Sequence, residues 1–431
     1  MEKEKLAKKK KKKTMSLSFP NDFFWGSSTS SYQVEGGNVN DWSQWEKKNA
    51  KKLAHSAKSY WKPWQIKKFP QILSPDNYIC DKACDHYHRY EEDFDWIKSL
   101  HQNAHRLSIE WSRIEPAEGR FDKKELQHYR KVLEALRARG IEPFVTLKHY
   151  TNPIWLSEKG GIASPAYPRL FSRYVQKVVQ ELGDLCQYWI TVNEPMVIIH
   201  NAHLTNNSWP GEKSLIKAHK YFTATVKAHN MAYDCIKQKF PQAQIGVAKL
   251  LNSWEPVNKK SFLDMLTVRL ARYFSNEKFI NAIKSKLDFI GVNYYFHDQL
   301  KFPYQRVTTK TKVSDLNWEI YPKGIYKVLQ EIKKYNLPIY ITENGLADAS
   351  DKYRADFIKE HLFWINKAIQ EKIPVKGYFH WSLMDNFEWN KGFWPRFGLL
   401  EIDYHTLTRK LRPSGKIYAE ICATNKLKFD K

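Results

Sequence analysis

No stretch of this 431-residue chain comes near the ~20 consecutive apolar residues that a membrane-crossing helix requires. The lysine-rich start, M-E-K-E-K-L-A-K-K-K-K-K-K-T-M, runs into S-L-S-F-P with no apolar stretch behind it. That pattern is not a secretory signal, and cytoplasmic residence is the expectation. Cysteine is scarce: Cys80, Cys84, Cys186, Cys235 and Cys422 are odd in number and dispersed. Cys80 and Cys84 lie four apart, yet no second close pair of Cys or His completes a ligand set, so reduced thiols and no metal are expected. Repeats, linkers and low-complexity stretches are missing after the lysine run, which favours one large domain over residues 16–431. Residues 1–15 carry too little apolar surface to offset the entropy lost on ordering, and a disordered tail is expected there.

Acidic residues are the minority, 46 against 70 Lys and Arg, for a net charge of +24. Such a balance invites a nucleic-acid or anionic-surface partner. The kind of cation argues otherwise: 54 are Lys and 16 are Arg, and the lysines spread over the outer faces of expected helices such as 323–334 and 352–367. Nucleic-acid readers favour Arg and concentrate it. A solvated lysine surface follows, with neither nucleic acid nor membrane as partner. Aromatic residues make up 15% of the chain, including 16 tryptophans, a content that suits either a large core or an aromatic-lined cleft for sugar rings.

Short β-branched or aromatic runs alternate with amphipathic segments along the chain. Strands are expected at 23–28, 105–109, 143–148, 188–192, 244–249, 289–294, 338–342 and 376–380, with helices at 87–100, 124–139, 168–182, 214–239, 263–285, 323–335 and 354–371. Roughly eight strands, each followed by a helix, is the count of a single α/β (β/α)8 barrel. Residues 47–81, with W-K-P-W and two further prolines, lack periodicity and read as a long loop walling the cleft.

Two carboxylates stand at strand ends. Glu194 closes W-I-T-V-N-E-P and Glu343 closes P-I-Y-I-T-E-N-G, several βα units apart, so both are expected at the barrel mouth where such folds keep their active sites. Either alone is as well read as a helix cap or a turn residue. As a pair across one mouth they suit glycosidic cleavage, by direct displacement or through water according to their separation. Two close carboxylates cannot both be comfortably ionised, so one must be held as an anion and the other pushed toward its acid form. Arg106 in H-R-L-S-I-E-W and the Tyr295 hydroxyl are candidates to hold Glu343 ionised; Glu194, with no basic neighbour in sequence, would carry the proton. Asn193, beside it, offers an amide to a sugar hydroxyl. Gln33 and Glu35 after W-G-S-S-T-S-S-Y, His149 after V-T-L-K, Asn293 after F-I-G-V, and Trp381, Glu388 and Trp389 in H-W-S-L-M-D-N-F-E-W add polar and aromatic groups at strand end after strand end.

From Phe19 to Pro413 the chain resembles the β-glycosidases of glycoside hydrolase family 1. F-F-W-G-S-S-T-S-S-Y-Q-V-E-G, R-L-S-I-E-W-S-R-I-E-P, T-V-N-E-P and I-T-E-N-G match that family's signatures in order and spacing. The resemblance implies a TIM barrel whose long βα loops form the cleft. It also implies a retaining hydrolysis of terminal unphosphorylated β-glucosides, with galacto- and fuco-configured sugars open, and no cofactor. By the same resemblance Glu343 is the nucleophile, Glu194 the acid and then the base, and Arg106, Asn193, Asn293 and Tyr295 their support. Gln33, His149, Glu388 and Trp389 would bind the sugar and Trp381 would floor the cleft. The substrate is then a small β-glycoside or an oligosaccharide. Departures from the family pattern are Tyr-Thr-Asn after His149, Glu110 in place of a common serine, and segments after the fifth and sixth strands that read as short; these concern the aglycone side.

Overall fold

A computed structural model describes residues 14–204, 213–307 and 312–430. Eight parallel strands close into a barrel: β1 (Phe24–Ser28), β2 (Ala104–Ser108), β3 (Glu142–Thr146), β4 (Tyr188–Asn193), β5 (Gln244–Leu250), β6 (Phe289–Asn293), β7 (Ile339–Asn344) and β8 (Val375–Trp381). Each pairs with its neighbours in sequence, and β8 returns to β1. The eight runs read from sequence are these eight strands. β-branched and aromatic residues dominate them because both faces are covered, one by helices and one by the barrel interior.

Every strand sends at least one residue into that interior: Phe24, Ala104, Phe144, Ile190, Ala248, Phe289, Tyr340 and Phe379 pack together, and β4 adds Tyr188, stacked on Phe144. This layer plugs the barrel, so the polar groups above it face a closed floor. A second, larger core lies between strands and helices and includes Leu107, Val145, Trp189, Val247, Val292 and Ile341.

The segment 47–81 departs from the expected loop. A helix spans Asp41–Tyr60, started by a reciprocal cap between Asn40 and Ser43. Along most of its length the inward face is built from Ala50, Ala54 and Ala57, small residues at helical spacing that carry little hydrophobic signal among five lysines, an aspartate and a glutamate. The expected tail also gives way at its end: Thr14 and Met15 belong to a strand, Thr14–Ser18, that pairs antiparallel with Lys426–Asp430, where backbone hydrogen bonds to the far terminus order it. The rest of that tail, 1–13, lies outside the described residues.

Candidate active site

Strict strand alternation would turn Asn193 and Glu343 away from the barrel mouth. On β4, Ile190 packs inside the barrel, yet Val192, two residues on, packs in the outer core, and the pairing with β5 shifts register between Ile190 and Asn193. On β7, Tyr340 is interior and Ile341 exterior, which would leave Glu343 outside were it not for a register shift against β6 between Ile341 and Glu343. Such irregularities re-aim side chains at barrel rims. Glu194 then adopts a left-handed backbone, φ 47° and ψ 52°, before Pro195, a conformation that costs of order 1–3 kcal/mol in a non-glycine residue and persists only where the surroundings hold it. After Glu343 the turn passes so close to β8 that a Cβ at Gly345 would sit 1.8 Å from the Trp381 carbonyl oxygen, which explains the glycine in E-N-G.

Both carboxylates line one cavity of about 700 Å³. A polar bridge joins them. Arg106, fully buried on β2, is ion-paired to Glu343 through Nη1 and donates through Nη2 to Asn193 Oδ1 at 2.7 Å. Asn293 Nδ2 donates to the same Asn193 oxygen at 3.2 Å and to Glu194 Oε1 at 2.8 Å. Asn293 is itself fixed by Thr342 Oγ1, 2.7 Å from its carbonyl oxygen. The second oxygen of each carboxylate takes a phenol: Tyr295 donates to Glu343 Oε2 at 3.0 Å, and Tyr150 to Glu194 Oε2 at 3.0 Å.

This asymmetry sets the protonation order. Burial pushes the Glu194 carboxyl up to about 7, and the nearby Glu343 charge adds to it; Asn293, Tyr150 and the Lys249 ammonium pull the other way. Burial raises Glu343 as well, but there the Arg106 charge and its hydrogen bond, with Tyr295, oppose it most strongly. The anion is therefore better held at 343 and the proton at 194. Lys249, on β5, is the basic neighbour that the sequence around Glu194 does not reveal. It is buried, its amine donates to the Leu250 carbonyl at 2.7 Å and to the Ser275 carbonyl, and burial brings it down to about 7.

The expected sugar-binding residues share the cavity: Gln33, His149, Trp381, Glu388 and Trp389 all line it. Three present buried polar atoms with no partner among the described residues: Gln33 Oε1, His149 Nδ1 and Glu388 Oε2. Gln33 spends its amide on Asn386 Oδ1 at 3.0 Å and the Phe387 carbonyl at 2.8 Å, which aims its oxygen into the cavity. Burial holds His149 neutral, far below its ordinary value, and Asn193 Nδ2 sits 3.2 Å from Nε2, so the ring proton belongs on Nδ1. Burial also lifts Glu388 to about 7. An acceptor, a donor and a carboxyl thus stand ready for hydroxyls, which both give and take hydrogen bonds. Trp381 and Trp389 lie 6.1 and 6.0 Å from the His149 ring, nearly parallel to it, and add apolar faces.

Glu35 does not join them. Its oxygens accept from Arg113 at 2.9 Å and Tyr129 at 2.8 Å behind the cavity wall. Asp385 likewise is held by Arg412 at 2.8 Å and the Gly398 amide. Tyr150 and Lys249 are the groups that sequence reading missed. Tyr150 was visible only as a departure after His149, because its reach to Glu194 depends on a φ of 68°. Glu110, the other departure, is buried and accepts from Thr151 and Ser112 at 2.9 and 2.8 Å. The segments after β5 and β6 carry a three-stranded sheet, Ser253–Pro256, His297–Lys301 and Gln305–Val307, and the helix Phe262–Arg272. The five cysteines are free, and no cluster among the described residues has the make-up of a metal site. No helix among them is long and apolar enough to cross a membrane.

The pattern of Glycosyl hydrolase family 1 matches residues 15–285 and 276–427. β-Glucosidase A of Thermotoga maritima is 33% identical over 95% of this chain and 98% of its own length, and a β-galactosidase of Pyrococcus woesei is 30% identical over 94% and 97%. Among solved structures, a β-glycosidase from Pyrococcus horikoshii superposes with a TM-score of 0.85 at 34% identity, covering 96% of this chain and 97% of that one. A Thermotoga maritima β-glucosidase in complex with glucoimidazole does so with 0.84 at 32% identity, covering 95% and 99%. Matched along nearly its whole length in sequence and in fold, the chain belongs to glycosyl hydrolase family 1.

Proposed function

We propose that this protein is a retaining β-glycosidase of β-glucosidase type, with galactosides and fucosides as further substrates. The bridge from Arg106 through Asn193 and Asn293 carries the reading, because it joins, at a single cavity, a carboxylate that Arg106 holds as an anion to a second that burial pushes toward its acid form. In the first step a Glu343 oxygen attacks the anomeric carbon while the bond from that carbon to the leaving oxygen breaks, and Glu194 gives its proton to that oxygen. In the second, Glu194 takes a proton from water, the water oxygen bonds the anomeric carbon, and the ester to Glu343 breaks. Gln33, His149 and Glu388 hold sugar hydroxyls, and the relatives named for glucosides and galactosides support both configurations. Glu388 would repel a 6-phosphate, so an unphosphorylated sugar is the substrate. The chemistry requires no metal or organic cofactor. Five free thiols suit a reducing, cytoplasmic setting. The first sugar released from an aryl β-glucoside, followed by NMR, should be the β-anomer; the α-anomer would overturn the double displacement.

Lys249 adds a pH signature. Its positive charge favours the Glu194 carboxylate, so replacing it with Met should raise the pKa of the acid and move the basic limb of kcat/KM to higher pH. The acidic limb, set by Glu343, should stay in place. A basic limb that does not move would separate Lys249 from the acid.

A further inference from the structure

Two departures from the family pattern, Tyr-Thr-Asn after His149 and the residue Glu110, belong to one assembly in space. Tyr150 has a left-handed backbone, φ 68°, which a tyrosine adopts only where its surroundings hold it. What holds it is a buried cation and a buried carboxylate. Lys148 Nζ donates to the Tyr150 and Thr151 carbonyls, each at 2.9 Å, and Thr151 Oγ1 donates to Glu110, 2.9 Å from both carboxylate oxygens. Glu110 is fixed in turn by Ser112 Oγ at 2.8 Å. The Tyr150 ring packs on Trp389 with 4.7 Å between centroids. Backbone and ring are thus both set where the hydroxyl meets Glu194 Oε2 at 3.0 Å.

The two oxygens of Glu194 are not equivalent. Oε1 faces the Asn293 nitrogen, which can only donate, and Thr342 occupies the Asn293 oxygen, so that amide cannot turn round. The acid proton therefore belongs on Oε2, the oxygen that Tyr150 meets. A phenol both donates and accepts, and its hydrogen rotates. It can accept from Oε2–H while Glu194 is an acid and donate to Oε2 once the proton has gone, and the second of these bonds is charge-assisted and stronger. Of the groups that act on the Glu194 charge, Glu343, Lys249, Asn293 and Tyr150, the phenol alone can reverse the direction of its bond. Burial and the charges of Glu194, Glu343 and Glu388 push the Tyr150 hydroxyl well above its ordinary value, so it keeps its own proton throughout.

Resting on the β-glycosidase reading, we infer that Tyr150 is a positioning residue for the acid and base: its phenol turns from acceptor to donor as Glu194 gives its proton to the leaving oxygen, and a brace of Lys148, Thr151 and Glu110 keeps it in reach. Such a bond strengthens as the first transition state forms and weakens in the second, where Glu194 regains a proton. The test is Tyr150→Phe on aryl β-glucosides whose leaving groups run from phenol to dinitrophenol. In that variant kcat/KM, which reports the first step, should fall about tenfold for phenyl glucoside and by less than about twofold for dinitrophenyl glucoside, which needs no acid. On dinitrophenyl glucoside kcat, set by the second step, should hold or rise. The basic limb of kcat/KM should move to higher pH, because the lost donor favoured the carboxylate. Thr151→Val should show the same loss on phenyl glucoside, and Thr151→Ser, which keeps the hydroxyl, should not. A loss equal across leaving groups or across the two steps, an unchanged rate on phenyl glucoside, or an unmoved basic limb would overturn the role of Tyr150 while leaving the glycosidase reading intact. Thr151→Val indistinguishable from the parent would overturn the brace. Absence of turnover on every β-glycoside by the unaltered enzyme would instead remove the reading on which the inference rests.

Discussion

Glu343→Gln is expected to lower kcat by at least about 10⁴-fold on any β-glycoside while the protein stays folded. The amide keeps the shape of the carboxyl and its contact with Tyr295, but it has no anion to form a bond with the anomeric carbon, and Arg106 then faces a neutral partner. The other carboxylates among the described residues of the cavity are engaged elsewhere: Glu194 is tied to Asn293 and Tyr150, Glu388 lies beside Trp389, and Asp298 pairs with Arg306. Glu343→Gly sharpens the test, because it vacates the space from which attack occurs. A small anion such as azide, admitted there with an activated β-glucoside, should bond the anomeric carbon and expel the leaving group, giving an α-glycosyl azide, one inversion in place of two. Turnover retained in Glu343→Gln, or a β-configured azide product from the glycine variant, would dismiss Glu343 as the nucleophile.

Glu194→Gln should cost about 10²–10⁴-fold, with a size that depends on the substrate. A leaving group that departs without protonation, such as dinitrophenolate, needs no acid in the first step, so that step should survive. The second step still needs a base to activate water, so the glycosyl-enzyme should accumulate and a rapid burst of phenolate should precede slow turnover. A loss equal for poor and good leaving groups, with no burst, would remove Glu194 from the role of acid and base. The same variant reads the cost of burying this carboxyl. Its folded pKa, near 7, stands above the unfolded value of about 4.5, so the native state is penalised only where the unfolded chain would ionise. Below pH 4.5 glutamine should bring no gain. Between 4.5 and 7 the variant should become progressively more stable than the parent, by roughly 3 kcal/mol at most, and the difference should level off above 7.

Much of this was legible in the chain. Runs such as W-I-T-V and I-Y-I-T are strands because β-branched and aromatic residues suit a surface covered on both sides, and eight of them alternating with helical patterns leave few folds but a closed barrel. The pair Glu194 and Glu343 was visible because each stands at a strand end, where a regular pattern breaks off, whereas Arg106 stands out as a cation inside the strand Ala104–Ser108. The helix Asp41–Tyr60 was not visible, since an inward face made of alanines leaves little apolar periodicity to detect. Tyr150 and Lys249 were hidden for another reason: their meaning lies in a partner on a different strand.

Sequence by itself determined the order of strands and helices, the barrel that follows from it, and which carboxylates stand at its mouth. Only the tertiary structure decided which way they point. Alternation along β4 and β7 would have turned Glu343 away from the cavity and placed Val192 within it, and register shifts against β5 and β6 reverse the parity near both strand ends. The place of the helix Phe262–Arg272 was decided the same way. Its sequence reads as a helix wherever it is placed, but whether its leucines are core or open surface depends on what packs against them, and here that is the cleft itself.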